Sequence, residues 1–118
     1  MHYLKIGLIL IASGFYAVSC GGSERQDYVI RESKTYEATL FRQNCAICHG
    51  PEGDGKTLGD GTVVPSLRRG EFKTKSEQQI YRQIADGGNG MLPFARQLTD
   101  REIKLLSTMV YRDLRGGK

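Results

Sequence analysis

Cys45-Ala46-Ile47-Cys48-His49 is a C-x-x-C-H run, and its chemistry sets what every other segment must supply. One helical turn presents two thiols at that spacing to one edge of a porphyrin. Each thiol can then add across a vinyl group while the following imidazole swings beneath the iron. Cys45 and Cys48 are therefore the candidate thioether residues of a covalently attached haem, and His49 its proximal iron ligand. A zinc or dithiol site competes for the same residues. It fares poorly: three side chains are one short of a closed zinc site, no second C-x-x-C exists, and a thioredoxin-like βαβ pattern is missing.

Just upstream, Tyr36, Leu40 and Phe41 recur at helical intervals with Lys34 and Glu37 outward, and no Gly or Pro intervenes before Gly50. This predicts a helix over 34–45 that delivers both cysteines. Downstream, HGPEGDGKTLGDGT has Gly at 50, 53, 55, 59 and 61, a run too glycine-rich for a helix or strand interior. It reads as a loop whose glycines let the backbone pass close to a flat cofactor. Val63 to Leu67, with Pro65 at its centre, is short and apolar. RRGEFKTK, residues 68–75, is basic and polar.

Two capping boxes compete for the next helix, Thr74 with Glu77 and Ser76 with Gln79. Ile80, Tyr81, Ile84 and Ala85 form its apolar face, and Gly87 and Gly88 stop it. In Gly88-Asn89-Gly90-Met91-Leu92-Pro93-Phe94 a methionine sits between a glycine and a nearby proline. That places its thioether on a stiffened loop, where it is a candidate sixth iron ligand. Thr99 and Glu102 cap a last helix with Ile103, Leu106, Val110 and Leu114 on one face, and packing on that helix accounts for Met109.

At the N-terminus Lys5 precedes the uncharged run Ile6 to Val18, followed by small residues, the order of a secretory signal. About 13 apolar residues fall short of the ~20 that a membrane-spanning helix needs. Residues 1–19 are expected to be a signal peptide. Ala17-Val18-Ser19-Cys20 resembles the lipobox of bacterial lipoproteins, which makes Cys20 a lipidation candidate and a membrane anchor. Ala17 to Ser19 also fits ordinary signal cleavage. Residues 20–33 read as a polar, mobile tether and 34–118 as the folded domain. Loss of 1–19 removes His2 and leaves His49 as the sole imidazole. The chain is 39% apolar and 25% charged, ordinary for a soluble domain, and its formal charge of +4 is interleaved with acids, which argues against a nucleic-acid partner.

From about residue 34 to 115 the chain resembles a class I cytochrome c of the small bacterial single-haem kind. The resemblance rests on Cys45, Cys48, His49 and Gly50, on Gly53 and Gly55, on Pro65 and Leu67, on Met91 with Pro93 and Phe94, and on Phe41 four residues before Cys45. It implies an all-α, cytochrome c-like fold of three main helices and loops wrapped around one covalent haem c. It also implies thioethers at Cys45 and Cys48, His49 as proximal and Met91 as distal ligand, and a Pro65 carbonyl accepting the proximal ring N–H. Two departures stand out: Glu37 occupies the family's helix-crossing glycine position, with Ala38 as the substitute beside it, and Leu92 separates Met91 from Pro93.

The implied function is electron transfer between exported or membrane-bound redox partner proteins. The chain would be an electron carrier, not an enzyme, acting as a monomer or as a subunit of a larger oxidoreductase. It would work in the periplasm or on the outer face of a bacterial membrane. Arg68, Arg69, Lys73 and Lys75 read either as a basic docking rim or as a solvated loop. The alternative is a haem-based sensor in which a small molecule replaces a displaceable or absent Met91.

Overall fold

The computed structural model describes residues 27–117. The expected signal peptide (1–19) and the lipidation candidate Cys20 lie outside the described residues. Three main helices form: α1 (Tyr36–Asn44), α3 (Glu77–Asp86) and α4 (Asp100–Thr108), with the four-residue helix α2 (Ala46–His49) directly after α1. The helix α4 runs on into a π-helical stretch, Met109–Leu114.

Each of the three main helices begins where a side chain supplies the acceptor that its first amides lack. Thr35 accepts from Ala38 at the start of α1, and Thr99 and Glu102 form the expected reciprocal box on α4. For α3 the structure selects Ser76 with Gln79. Thr74 is engaged elsewhere: its carbonyl and hydroxyl both accept from Arg115 Nη1, at 2.7 and 3.4 Å.

The helices α1 and α3 both pack on α4. The shared core contains Ala38, Leu40 and Phe41 from α1, Ile80, Ile84 and Ala85 from α3, and Ile103, Leu106, Met109, Val110 and Leu114 from α4 and its extension. Ala38 is fully buried, so a small side chain does occupy the helix contact that Glu37 could not fill. Polar ties reinforce the packing. The Tyr36 hydroxyl donates to Glu102, Tyr81 to Asp100 at 2.6 Å, and Thr108 to Glu77 at 2.6 Å.

Two expectations are corrected. The glycine-rich stretch is not wholly irregular: β1 (Lys56–Thr57) pairs antiparallel with β2 (Val63–Val64), Lys56 opposite Val64 and Thr57 opposite Val63. The hairpin closes through Leu58 N–H to Thr62 O (2.8 Å) and Thr62 N–H to Asp60 Oδ1 (2.9 Å). Gly55 and Gly59 flank β1 and leave room for a two-residue ladder, too short to register as a strand pattern. The fold is therefore mostly helical with a small two-stranded sheet.

The polar tether, expected over 20–33, also ends sooner. Ile30 is fully buried in the core. Its amide and that of Arg31 donate to the Glu52 carboxylate at 2.8 and 3.1 Å, while Arg42 donates to the carbonyls of Ile30 and Ser33 at 2.6 and 2.9 Å. Residues 28–33 are thus a docked strap of the domain. Among the described residues no helix is long and apolar enough to cross a membrane.

Candidate haem site

The single turn of α2 sets the spacing of the motif. The Cys45 carbonyl accepts from the amides of Cys48 (3.1 Å) and His49 (2.9 Å), so both thiols and the imidazole spring from one short helical segment. Neither thiol is in a disulfide; Cys45 is half-buried and Cys48 exposed. Burial, reinforced by the neighbouring Cys48, pushes the Cys45 thiol up to about 12. Among the described residues no three His, Cys, Asp or Glu side chains converge as a bare-metal site.

His49 is held below the usual imidazole range by burial, which favours the neutral ring with a free lone pair. Its Nδ1 is buried and has no hydrogen-bond partner among the described residues. The bond from the ring to the Pro65 carbonyl, expected from the resemblance, is therefore not made here. Gly55 touches the backbone of both segments: its amide donates to His49 O at 2.9 Å, and a Cβ placed on it would lie 2.8 Å from the Pro65 carbonyl carbon and 2.4 Å from Val64 O. Pro65 is thereby fixed near His49 through backbone contacts. Leu67 N–H adds a bond to Gly53 O at 2.8 Å, seating 64–67 along the 50–55 loop.

Met91 lies in the turn after α3, where its amide and carbonyl pair with those of Gly88 at 3.0 and 2.9 Å. It is half-buried and packs on the same core as Cys45, Ala46, Leu67 and Phe94. A Cβ on Gly87 would meet Met91 O at 2.6 Å and Pro93 N at 2.7 Å, so the chain reverses there only because the residue is glycine. Three large apolar side chains are exposed by 71–74%: Ile47, Val63 and Leu92. They belong to the segments that carry the C-x-x-C-H run, Pro65 and Met91.

The donor set fits a covalently held haem: two free thiols, a neutral imidazole on the same helical turn, and a thioether on a tight turn against the same core. Of the four basic residues at 68–75, one is withdrawn from solvent. Arg68 is turned inward, its Nη2 donating to Tyr28 O at 2.7 Å and to Glu52 at 3.4 Å and its Nε to the Glu52 carbonyl, while Arg69 pairs with Asp54 at 3.1 Å. Lys73 and Lys75 remain exposed.

The family described as "Cytochrome C oxidase, cbb3-type, subunit III" matches residues 36–108, which take in both thiols, His49, Pro65 and Met91. The chain belongs to that family. Among relatives of this cytochrome c domain, the cbb3-type cytochrome c oxidase subunit CcoP of Azospirillum sp. (strain B510) is 27% identical over 107 residues, covering 87% of this chain and 34% of that protein. Cytochrome c6 of Parathermosynechococcus lividus is 33% identical over 73 residues, covering 62% of this chain and 82% of its own length. A solved structure, the KustC0563 c-type cytochrome, superimposes with a TM-score of 0.56 at 34% identity, covering 65% of this chain and 94% of that one. The chain spans about a third or less of the first cbb3-type relatives, 34% of one and 26% of another. The fold is that of a cytochrome c, and the cofactor of this domain is haem c.

Gly55 was legible in sequence only as one of five loop glycines, yet its backbone contacts with the His49 and Pro65 segments make it the least replaceable. Gly55→Ala is expected to destabilise the holoprotein by about 2–3 kcal/mol, from its positive φ and the contact with Val64 O. Gly59→Ala, where a Cβ meets nothing within 4 Å, is expected to change stability by less than about 0.5 kcal/mol. Thermal unfolding of both variants checks the contrast; equal losses contradict it.

Proposed function

We propose that this domain is a one-electron carrier in which Cys45 and Cys48 hold haem c by thioethers, His49 is the proximal and Met91 the distal iron ligand. The observation that carries the reading is the single helical turn that places a neutral imidazole, His49, directly after two free thiols. When bound, the haem supplies a metal that gains and loses one electron. The protein's part is to keep the geometry unchanged through that cycle. His49 is anchored by its backbone bonds to Cys45 and Gly55, and Met91 by its pairing with Gly88. His49 and Met91 would both hold the iron, so little would reorganise in the cycle, and a methionine ligand would raise the potential relative to nitrogen or thiolate. No substrate needs to reach the iron, so the chain is a carrier and not itself an enzyme.

Redox proteins are the partners of this reading. Relatives named as subunits of cbb3-type oxidases and as a cytochrome bc1 complex cytochrome c subunit of Corynebacterium diphtheriae support a place within or beside a larger oxidoreductase. Export through residues 1–19 and anchoring by lipid at Cys20 complete the proposal, placing the domain in the periplasm or on an outer membrane face. Pro65 shapes the proximal side through its contact with Gly55. Mixing the reduced protein with carbon monoxide tests the ligation: wild type is expected not to bind it, while Met91→Ala binds readily. Rapid binding by wild type contradicts the carrier and favours a ligand sensor.

A further inference from the structure

We propose that Gln83 is a positioning residue that clamps the Met91 turn; this rests on the reading of Met91 as the distal iron ligand. The turn needs a clamp. Gly87, Gly88, Asn89 and Gly90 have φ of 70, 105, 52 and 86°, four consecutive residues in the left-handed region. Three glycines in such a run lose much conformational freedom on ordering, and Asn89 is the one non-glycine residue with positive φ among the described residues. Without outside contacts this segment would sample many arrangements, each placing the Met91 thioether differently.

Gln83, in the last turn of α3, supplies the outside contacts. Its Nε2 donates to Gly88 O at 2.9 Å, the same carbonyl that accepts the Met91 amide at 3.0 Å. Its Oε1 accepts from Asn89 Nδ2 at 3.3 Å, opposite the strained backbone. Its own carbonyl accepts from Gly87 N–H at 3.0 Å. One residue therefore grips three successive positions of the turn, and two of the grips are side-chain bonds that substitution can remove. The residues after the turn are pinned separately to α3, Phe94 N–H to Ile84 O at 3.0 Å and Ala95 N–H to Ala85 O at 3.2 Å. Only the segment 88–91 depends on Gln83.

A thioether is a neutral, modest ligand, so its hold on the iron depends on how far the turn pre-orders it. The competition is measurable with imidazole as the probe, titrated into the oxidised holoprotein. Gln83→Met, similar in size and without the amide, is expected to bind imidazole about fivefold to thirtyfold more tightly than wild type, the range for losing one or two hydrogen bonds. Gln83→Glu, which has no N–H for Gly88 O, does not restore the wild-type value. Asn89→Gly keeps a residue suited to positive φ and removes only the bond to Oε1; it shifts the same equilibrium the same way by a smaller factor. In a Met91→Ala background Gln83→Met is expected to change imidazole affinity by less than about twofold, because no competing thioether is left to position. Unchanged affinity in folded Gln83→Met, or an equal shift in the Met91→Ala background, overturns the clamp. A wild type without the weak red-end absorption band of methionine-ligated ferric haem overturns the Met91 assignment itself, a failure read before any Gln83 variant is made.

Discussion

The double variant Cys45→Ala/Cys48→Ala is expected to carry no haem through a denaturing gel, whereas each single variant keeps one thioether and stains. The two thiols leave a single helical turn, and both are free of any protein bond that would compete for them. The loss reaches beyond the cofactor. Cys45, Ala46, Leu67, Met91 and Phe94 are only partly buried against the helical core, so their exposed sides are where a large apolar group would pack. A group bound only by the folded state adds its binding free energy to stability, so the double variant should lose at least about 4 kcal/mol relative to the holoprotein. Mass spectrometry of the denatured variant checks the chemistry, and calorimetry of the folded protein checks the energy. A double variant that keeps haem mass after denaturation contradicts thioether attachment.

Glu52→Ala is expected to destabilise the fold by about 3 kcal/mol, a large cost for a residue in a glycine-rich loop. Glu52 sits in the glycine-rich loop, yet its carboxylate receives the amides of Ile30 and Arg31 and faces Arg68. The Glu52 and Arg68 side chains are 23% and 12% exposed. Truncation strands two amides and takes the counter-charge from a largely buried guanidinium, which keeps only its bonds to the Tyr28 and Glu52 carbonyls, and breaking one partner of such a group costs more than the pair itself contributes. Arg69→Ala is the matched control, since its pair with Asp54 is 80% and 51% exposed, and a change within about 0.5 kcal/mol is expected. Denaturant unfolding compares the two, and faster amide exchange at Ile30 and Arg31 in Glu52→Ala identifies the strap as the part that opens. Equal costs for both substitutions contradict the account of the strap.

The helices were legible because their signals are local. A cap at Thr99, a box at Ser76 and a periodic apolar face at Ile103, Leu106, Val110 and Leu114 each involve residues within a turn or two of one another, and all appear as expected. What stayed hidden depends on pairing across the chain. Arg68 looks like a solvated basic residue until the carbonyl of Tyr28, 40 positions upstream, is found accepting a hydrogen bond from it. Ile30 looks like a stray apolar residue in a tether until Glu52 and Arg42 are seen holding its backbone. Sequence also names the ligand candidates without showing what steers them. Gly55 and Gln83 act through backbone contacts to His49, Pro65 and Gly88, and no residue-type pattern encodes those contacts. The closeness of Pro65 to His49 is hidden in the same way, because it is set by the backbone of Gly55, which bonds to His49 O and packs on the Pro65 carbonyl carbon.

The ligation of the iron by Met91 is the claim on which the carrier reading turns, and one absorption spectrum addresses it. The oxidised wild-type holoprotein is expected to show the weak red-end band of a methionine-bound haem, and Met91→Ala to lose it while retaining covalent haem. A wild-type spectrum without the band, or a band that survives in Met91→Ala, would contradict the account.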